Sequence, residues 1–270
     1  MQQLISDIRK TVKQNQPLIH CITNPISINQ CANAILAIGA RPMMAEHPKE
    51  VSEITRTAQA LMLNLGNLTD ARMESMLISA KTAKKNRIPF LLDAVGIACS
   101  SLRRKYAKTL VNIATPTVIK GNYSEIQALF RDSYYSSGVD ADSGLDIHTI
   151  DQTALSLARS LGTVILASGK VDIVTDGNRL YHIHNGTSQL SQITGTGCLQ
   201  GALCASYLSA KQGIEAVITG CTVLGICGER ARTDLGTGTF LCGLLDALST
   251  LTDAEIEHYL KLEEINIEEI

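Results

Sequence analysis

Short apolar segments alternate with segments of helical periodicity along the chain up to Ser168. Five of these apolar segments are rich in aliphatic and β-branched residues and predict buried strands, at 17–23, 60–65, 88–94, 116–121 and 163–168. Apolar residues recur with the period of a helix at 27–38, 50–58, 70–86, 101–112, 123–130 and 150–161. Near-continuous apolar strands separated by helices predict a mostly parallel sheet that is covered on both faces.

The pattern changes after Ser168. Two short alternating segments flank Asp176 and Gly177, a pair of residues typical of a hairpin turn. From Gly197 onward the periodicity is almost entirely helical, and the chain ends in a charged segment. The polar segment 131–146 predicts a surface loop, not a linker between domains. We therefore predict one α/β domain over residues 1–270.

Composition and charge narrow the possible partners. The 270 residues are 45% hydrophobic and carry a net charge of −2, and without a basic patch nucleic acid is not an expected partner. The N-terminal segment lacks the apolar stretch of a signal peptide, and the longer apolar segments are too short to span a bilayer. Eight scattered cysteines without a CxxC pair predict reduced thiols in the cytoplasm, with neither a disulfide framework nor a zinc site.

Polar residues and glycines end the predicted strands. Ligands of doubly wound sheets bind beyond the carboxyl ends of the strands, so these residues are candidates for a binding site. Each alone is explained by a strand-end turn or a helix N-cap, whereas five such strand ends on one edge favour a ligand site. The residues are Asn24, Asn64, Gly66, Asp93, Lys120, Gly121, Asn122, Ser168 and Gly169.

The segment GTGC, residues 195–198, stands at the start of a predicted helix. Successive backbone N–H groups at a glycine-rich helix start form an anion hole, and the helix dipole adds positive character. At Cys198 the same dipole is expected to lower the pKa of the thiol. A tight turn before a closely packed helix would explain the small residues that follow, but not two glycines and a thiol. The pattern matches neither GxxxxGK[ST] nor GxGxxG.

Two carboxylates are candidate ligands of Mg²⁺, an ion that prefers oxygen ligands together with substrate phosphates. Asp93 ends a very apolar strand, where a carboxylate is costly without a partner. Glu125 lies in the first turn of a predicted helix, where a capping box explains it about equally well. His182 and His184 alternate on a predicted hairpin strand and could hold a metal, but without a third ligand a surface strand face is the favoured interpretation.

Several motifs together resemble the ribokinase superfamily. They are GTGC before a late helix, KGNYSE at 120–125 and the aspartate that ends PFLLD. Within that superfamily, the segment from HCITNP to EHPKE, ALMLNLGNLT and GTGTFLCGLLDALSTL are similar to the hydroxyethylthiazole kinase family of thiamine salvage. The resemblance covers nearly the whole chain. It implies a ribokinase-like, three-layer α/β/α fold with a mostly parallel central sheet, and a homotrimer with active sites between neighbouring subunits.

The resemblance also implies a reaction, the ATP-dependent phosphorylation of the hydroxyl of 4-methyl-5-(2-hydroxyethyl)thiazole, with Mg²⁺ as the metal. The catalytic group implied is Gly195, Gly197 and Cys198, with Cys198 at the position of the general base. The thiazole side is implied to be Asn24, Met44, Gly66 and Gly195. The ATP side is implied to be Lys120, Asn122, Ser168 and Gly169, and the Mg²⁺ ligands Asp93 and Glu125.

Three departures from the family pattern concern the ATP side more than the class of reaction. Ala94 stands where the family has a proline, and the glycine pattern of 93–99 is altered. Lys120 replaces an arginine, which keeps the charge but loses the planar bidentate fork, and Ser168 replaces a threonine. Two other functions stay open: an ATP- or ADP-dependent NAD(P)H-hydrate dehydratase on the same scaffold, and a binding module without turnover.

Overall fold

A nine-stranded sheet forms the centre of the fold in this computed structural model, which describes residues 1–131, 134 and 146–270. Across the sheet the strands are β2 (Arg41–Met43), β1 (Leu18–Ile22), β3 (Ala60–Asn64), β4 (Phe90–Asp93), β5 (Val118–Asn122), β6 (Val164–Ser168), β7 (Asp172–Thr175), β8 (Leu180–Ile183) and β9 (Leu262–Ile265). Strands from β2 to β6 pair in parallel, and β6 to β9 pair antiparallel.

Helices cover both faces of this sheet. On one face lie α1 (Gln2–Asn15), α2 (Ile28–Ala37), α8 (Thr196–Leu208), α9 (Ile214–Arg230), α10 (Thr237–Thr250) and α11 (Asp253–Tyr259). On the other lie α3 (Val51–Thr57), α4 (Asp70–Asn86), α5 (Ser101–Ile113), α6 (Tyr123–Phe130) and α7 (Ile147–Leu161). The predicted three-layer α/β/α architecture with a mostly parallel sheet is confirmed.

The central strands are apolar throughout because both of their faces are buried. In β3, Leu61 and Leu63 pack toward α4, whereas Met62 packs toward α8, and all three side chains are fully buried. Successive side chains of a strand point to opposite faces, so a strand between two helix layers needs apolar residues at consecutive positions.

The five strands, the six helices and the hairpin predicted from the pattern are confirmed, with ends that shift by a few residues. Two edge strands were missed. The three-residue β2 is too short to show a pattern, and β9, with the sequence LEEI, lies in the part of the chain whose pattern predicts helices. Edge strands tolerate charged residues because only one side is paired, so their composition resembles that of a helix surface.

Most of the predicted loop at 131–146 lies outside the described residues. Within the described part of the chain, no helix is both long enough and apolar enough to cross a membrane.

Candidate functional site

The predicted strand ends meet at one edge of the sheet. Asn64 is the register partner of Asp93 across β3 and β4, and Asp93 is the partner of Lys120 across β4 and β5. Further along the same edge, Asn122 of β5 is paired with Ser168 of β6. Side chains that are partners in register project to the same face, so this edge collects an amide, a carboxylate and an ammonium group below the start of α8.

A continuous hydrogen-bond network joins this edge to Cys198. Lys120 Nζ donates to Asp93 Oδ1 at 3.2 Å, and Asn64 Nδ2 donates to Asp93 Oδ2 at 2.9 Å. The same Asn64 amide lies 3.2 Å from Cys198 Sγ, and Asn24 Nδ2 lies 3.3 Å from it. The thiol of Cys198 therefore sits between two amide donors, one of which also holds the carboxylate of Asp93.

The backbone around Asn24 and Gly66 holds the two amides close together. Asn24 Oδ1 accepts the backbone N–H groups of Ile26 and Ser27, both at 3.1 Å, while its Nδ2 atom faces the site. Asn24 thus combines the turn role expected from its position before α2 with a place in the network. A Cβ atom on Gly66 would lie 2.9 Å from both Asn24 Nδ2 and Asn64 Oδ1, so only glycine fits there.

The charges at the centre are buried as a pair. Asp93 is 0% exposed and Lys120 is 3% exposed. Burial raises the pKa of Asp93, and the Lys120 ammonium and the Asn64 amide oppose that rise. Burial alone would lower the pKa of Lys120, but the Asp93 and Glu125 carboxylates outweigh it and hold that pKa above its ordinary value. Lys120 therefore stays positively charged in the site.

The prediction that the helix dipole lowers the pKa of Cys198 is wrong in direction. Burial and the nearby Asp93 carboxylate raise the pKa of the thiol, and Lys120 and hydrogen bonds only partly oppose this. At neutral pH Cys198 thus carries its proton, and its sulfur accepts from the two amides. The arrangement suits a group that positions a hydroxyl better than one that removes a proton.

The start of α8 has the features of an anion hole. Gly195 is the N-cap with a φ of 89°, and no side chain caps this end in the described structure. The first N–H groups of a helix have no partner within the helix, so the N–H groups of residues 196–198 are available to a ligand. A Cβ atom on Gly197 would lie 3.8 Å from Lys120 Nζ, so the ammonium stands beside this positive helix end.

Two features favour glycine at position 195. Its φ lies in the left-handed region, which side chains disfavour. A Cβ atom there would also come within 2.5 Å of Gln30 Oε1. Further into α8, a Cβ atom on Gly201 would lie 2.9 Å from Met62 Cε and 3.3 Å from Asp93 Oδ2. The small residues of the helix therefore do serve close packing, in addition to the opening at its start.

Glu125 forms the capping box that its sequence position allowed. Its Oε2 atom accepts the Asn122 N–H at 2.7 Å, and Asn122 Oδ1 accepts the Glu125 N–H at 2.8 Å. Its Oε1 atom accepts the Gly96 N–H at 2.6 Å, which fixes the segment that departs from the family pattern. Burial raises the pKa of Glu125 to about 7, and Asp93 adds to the rise.

The predicted ATP side includes a half-buried carboxylate, Asp172, that sequence reasoning missed. Asp172 Oδ1 accepts the Gly169 N–H at 3.2 Å, and Asp172 Oδ2 accepts from Gln200 Nε2 of α8 at 2.6 Å. Burial raises the pKa of Asp172 to about 6. Ser168 Oγ donates to Gly121 O at 3.3 Å. Asp172 thus connects the turn at Gly169 to α8. The sequence signal for it is an aspartate at the start of an apolar strand, three residues after Gly169.

Met44 and the two histidines, His182 and His184, lie outside the hydrogen-bond network around Cys198. Met44 follows β2, one strand outward from Asn24, and is partly buried against the core.

His182 does not lie on a surface face as expected, because its Nε2 atom is 2.8 Å from Asp151 Oδ1 and its side chain is 9% exposed. His184 is exposed, and its Nε2 atom is 3.2 Å from Glu263 Oε2.

Comparisons with known proteins agree on one family. The model of the family described as "Hydroxyethylthiazole kinase family" matches residues 9–254. A protein of Clostridium botulinum (strain Hall) named "Hydroxyethylthiazole kinase 2" is 47% identical over 91% of this chain and 95% of its own length. One of Methanosphaera stadtmanae named "Hydroxyethylthiazole kinase 1" is 37% identical over 96% of both chains.

Solved structures agree with the sequence comparisons. The hydroxyethylthiazole kinase protein of Pyrococcus horikoshii OT3 superposes with a TM-score of 0.90 at 30% identity, over 98% of this chain and 100% of that one. A ribokinase-like superfamily protein of Enterococcus faecalis V583 superposes with a TM-score of 0.65 at 13% identity, over 92% of this chain and 89% of that one. The second likeness concerns the fold alone, and the fold is ribokinase-like.

The ion pair generates a stability prediction. Lys120→Met leaves the Asp93 carboxylate buried without its counter-ion, so the free energy of unfolding at pH 8 should fall by about 3–5 kcal/mol. The loss should shrink at pH 5, because an unpaired Asp93 has a still higher pKa in the folded protein and takes up a proton there. Adding Asp93→Asn to Lys120→Met should recover most of the stability.

Urea unfolding at both pH values measures these differences, with the exposed Lys105→Met as the control. A loss that is the same at pH 5 and pH 8, together with no recovery in the double variant, would contradict the ion pair as the dominant interaction.

Proposed function

The chain belongs to the hydroxyethylthiazole kinase family, and from this premise we propose that it transfers the γ-phosphoryl group of ATP to the hydroxyl of 4-methyl-5-(2-hydroxyethyl)thiazole. The observation that carries the proposal is the uncapped start of α8 beside the buried ammonium of Lys120. The comparisons favour this kinase and thiamine salvage over the hydrate dehydratase.

Phosphoryl transfer asks the protein mainly to position the reactants and to neutralise charge. In our proposal the N–H groups of residues 196–198 hold the oxygens of the transferred phosphate, and Gly195 and Gly197 leave room for its approach. Lys120 supplies a permanent positive charge next to the same helix end, 3.8 Å from a Cβ atom built on Gly197. These groups lie in place before substrate arrives, which is how preorganised charge lowers a barrier.

We place the thiazole alcohol against Asn24, Gly66 and Gly195, with Met44 at the outer side. Its hydroxyl would lie beside the Cys198 sulfur, which the Asn24 and Asn64 amides hold in position. Since the raised pKa keeps Cys198 protonated, we assign it the positioning of the hydroxyl and not the removal of its proton. The adjacent strand ends, Asn122, Ser168 and Gly169, would receive the nucleotide.

Asp93 and Glu125 fit a Mg²⁺ ion by charge. Two buried carboxylates face the single ammonium of Lys120, and each raises the pKa of Lys120. Burial is the main cause that raises the pKa of Glu125 to about 7, and the nearby Asp93 carboxylate adds to it, so a positive charge beside the two carboxylates would favour their ionised forms. A divalent cation that also binds substrate phosphates would supply that charge. Both Glu125 oxygens already accept a backbone N–H, so Glu125 would use its remaining lone pairs or a bridging water.

We also propose that residues 1–270 form one domain that assembles as a homotrimer in the cytoplasm. One sheet with strands from Leu18 to Ile265 supports the single domain. Exposed apolar side chains on α2, on the turn before it and on β2 support assembly, namely Ile26 at 56%, Leu36 at 56% and Met43 at 36% exposure. Scattered and mostly buried cysteine thiols support a reducing compartment.

The function is tested by coupled measurement of ADP release from Mg-ATP. Release should depend on the thiazole alcohol and should yield its phosphate ester by mass spectrometry. The hydrated nicotinamide nucleotide should give no turnover, and an analogue of the thiazole without the hydroxyl should bind without ADP release. ADP release with the hydrated nucleotide, or ATP binding without any turnover of the alcohol, would refute the proposal.

The metal assignment predicts changes in Mg²⁺ dependence. Asp93→Asn and Glu125→Gln each remove a negative charge, so the Mg²⁺ concentration for half-maximal turnover should rise at least ~10-fold. Binding of the thiazole alcohol to Glu125→Gln, followed by calorimetry, should change little, because Glu125 bonds to Gly96 and Asn122 and not to the network that holds Cys198. Urea unfolding of Asp93→Asn checks that the protein stays folded with Lys120 unpaired. Glu53→Gln, an exposed site on α3, serves as the control. An unchanged Mg²⁺ dependence in both variants would contradict the assignment.

The role of Cys198 predicts an asymmetry between two substitutions. Cys198→Ala should lower kcat by less than ~10²-fold, the low end for general acid–base catalysis, because the backbone amides and Lys120 are retained. Cys198→Asp should match or exceed the native kcat, because it adds a carboxylate base where the thiol holds its proton. Steady-state rates at saturating Mg-ATP measure both, and a larger loss in both variants would show that the thiol itself is required.

Assembly is testable with two leucines of equal exposure. Light scattering should give three times the 29.0 kDa mass of one chain. Leu36→Glu on α2 should dissociate the assembly and abolish activity, whereas Leu102→Glu on α5, also 56% exposed, should do neither. A monomer at working concentration, or an active Leu36→Glu monomer, would contradict a shared active site.

A further inference from the structure

A cluster of histidine and carboxylate side chains lies at the other end of the sheet from β1. His182 on β8 and His184 just beyond it are two residues apart, so their side chains project to the same face. Glu263 of β9 is the register partner of His182. One ligand atom from each of these three side chains lies within 4.8 Å of the other two. The third ligand, absent from the sequence motif, comes from a strand about 80 residues later.

Strand pairing holds the backbone of these three residues. The β8–β9 ladder continues past Ile183, because the His184 N–H donates to Lys261 O at 2.9 Å. Ile265 of β9 is partly buried against the core cluster that also contains apolar residues of α7, and Glu263, two residues earlier, projects to the same face of β9. Strand pairing therefore sets the positions of all three residues.

Asp151 of α7 supports one of the histidines. Its Oδ1 atom lies 2.8 Å from His182 Nε2, and the two side chains are only 5% and 9% exposed. A carboxylate bonded to one imidazole nitrogen fixes the ring and leaves the other nitrogen for a metal ion, as in many zinc sites. His184 and Glu263 are 42% and 60% exposed, so their side chains can adjust to an ion.

We propose that His182, His184 and Glu263 bind a Zn²⁺ ion, with Asp151 as the group that orients His182. Two imidazoles and a carboxylate with an open fourth position are a ligand set that zinc accepts, at bond lengths of about 2.0–2.2 Å. Such bonds in a tetrahedral site place ligand atoms about 3.3 Å apart, which small rotations of the exposed His184 and Glu263 provide. No cysteine takes part.

Zinc at this position would connect three elements. The ion would cross-link β9 to β8, the strand with which β9 pairs. Through the contact between His182 and Asp151 it would also connect these strands to α7. Two strands, β6 and β7, lie between β8 and β5, which carries Lys120. We therefore expect zinc to slow hydrogen exchange in residues 262–265 and to leave kinase turnover unchanged. The site is independent of the proposed catalytic function.

The test is calorimetric titration of Zn²⁺, with Co²⁺ absorption as a probe of tetrahedral geometry. A background with Cys99→Ser and Cys242→Ser removes the exposed thiols. The chain should bind one equivalent of Zn²⁺. His184→Ala and Glu263→Gln should weaken binding at least ~10-fold, and Asp151→Asn by about 10–100-fold. Glu264→Gln changes the next residue of β9, which faces Tyr181 on the opposite side, and should bind like the parent.

Two results would overturn the proposal. One is the absence of saturable zinc binding in the parent. The other is equal affinity in His184→Ala, Glu263→Gln and Glu264→Gln. Both decisive substitutions are at exposed positions, so loss of folding does not confound the result, and circular dichroism checks this.

Discussion

The buried ion pair between Lys120 and Asp93 is the interaction on which the rest of the site depends. Neither charge is stable alone in a fully buried position, because the free energy lost with its hydration is larger than the free energy gained from contacts with apolar groups. The pair forms because β4 and β5 hold the two residues in register. The same carboxylate accepts from Asn64, and Asn64 in turn donates to Cys198. Register in the sheet thereby sets the position of the thiol at the start of α8.

Glycines let the opposite wall of the site approach that pair. Gly201 brings α8 close enough that a Cβ atom would lie 3.3 Å from Asp93 Oδ2, and Gly66 allows the two asparagine amides to meet. At Gly195 and Gly197 the missing side chains leave the helix start open beside Lys120. Glycine therefore allows close packing in one turn of α8 and leaves the backbone N–H groups of the preceding turn uncovered.

Much of the fold and of the candidate site could be predicted from the sequence, because strands buried on both faces give continuous apolar segments that end in polar residues. Asn24, Asp93 and Lys120 are predicted in that way, and Cys198 is predicted from the glycine-rich GTGC segment before α8. What could not be predicted depends on distant contacts. The direction of the Cys198 pKa shift needs the burial and the Asp93 carboxylate, and Asp172 acquires its partners from Gly169 and α8. The edge strand β9 has the composition of a helix surface, so Glu263 could not be placed beside His182.

The central claim is that the alcohol and the nucleotide meet at the start of α8. A crystal structure of the chain with 4-methyl-5-(2-hydroxyethyl)thiazole, Mg²⁺ and a non-hydrolysable ATP analogue tests it most directly. We predict the thiazole hydroxyl within hydrogen-bonding distance of Cys198 Sγ, and the γ-phosphate on the N–H groups of residues 196–198 with Lys120 beside it. A thiazole bound away from Cys198, or a γ-phosphate held at another helix start, would contradict the account.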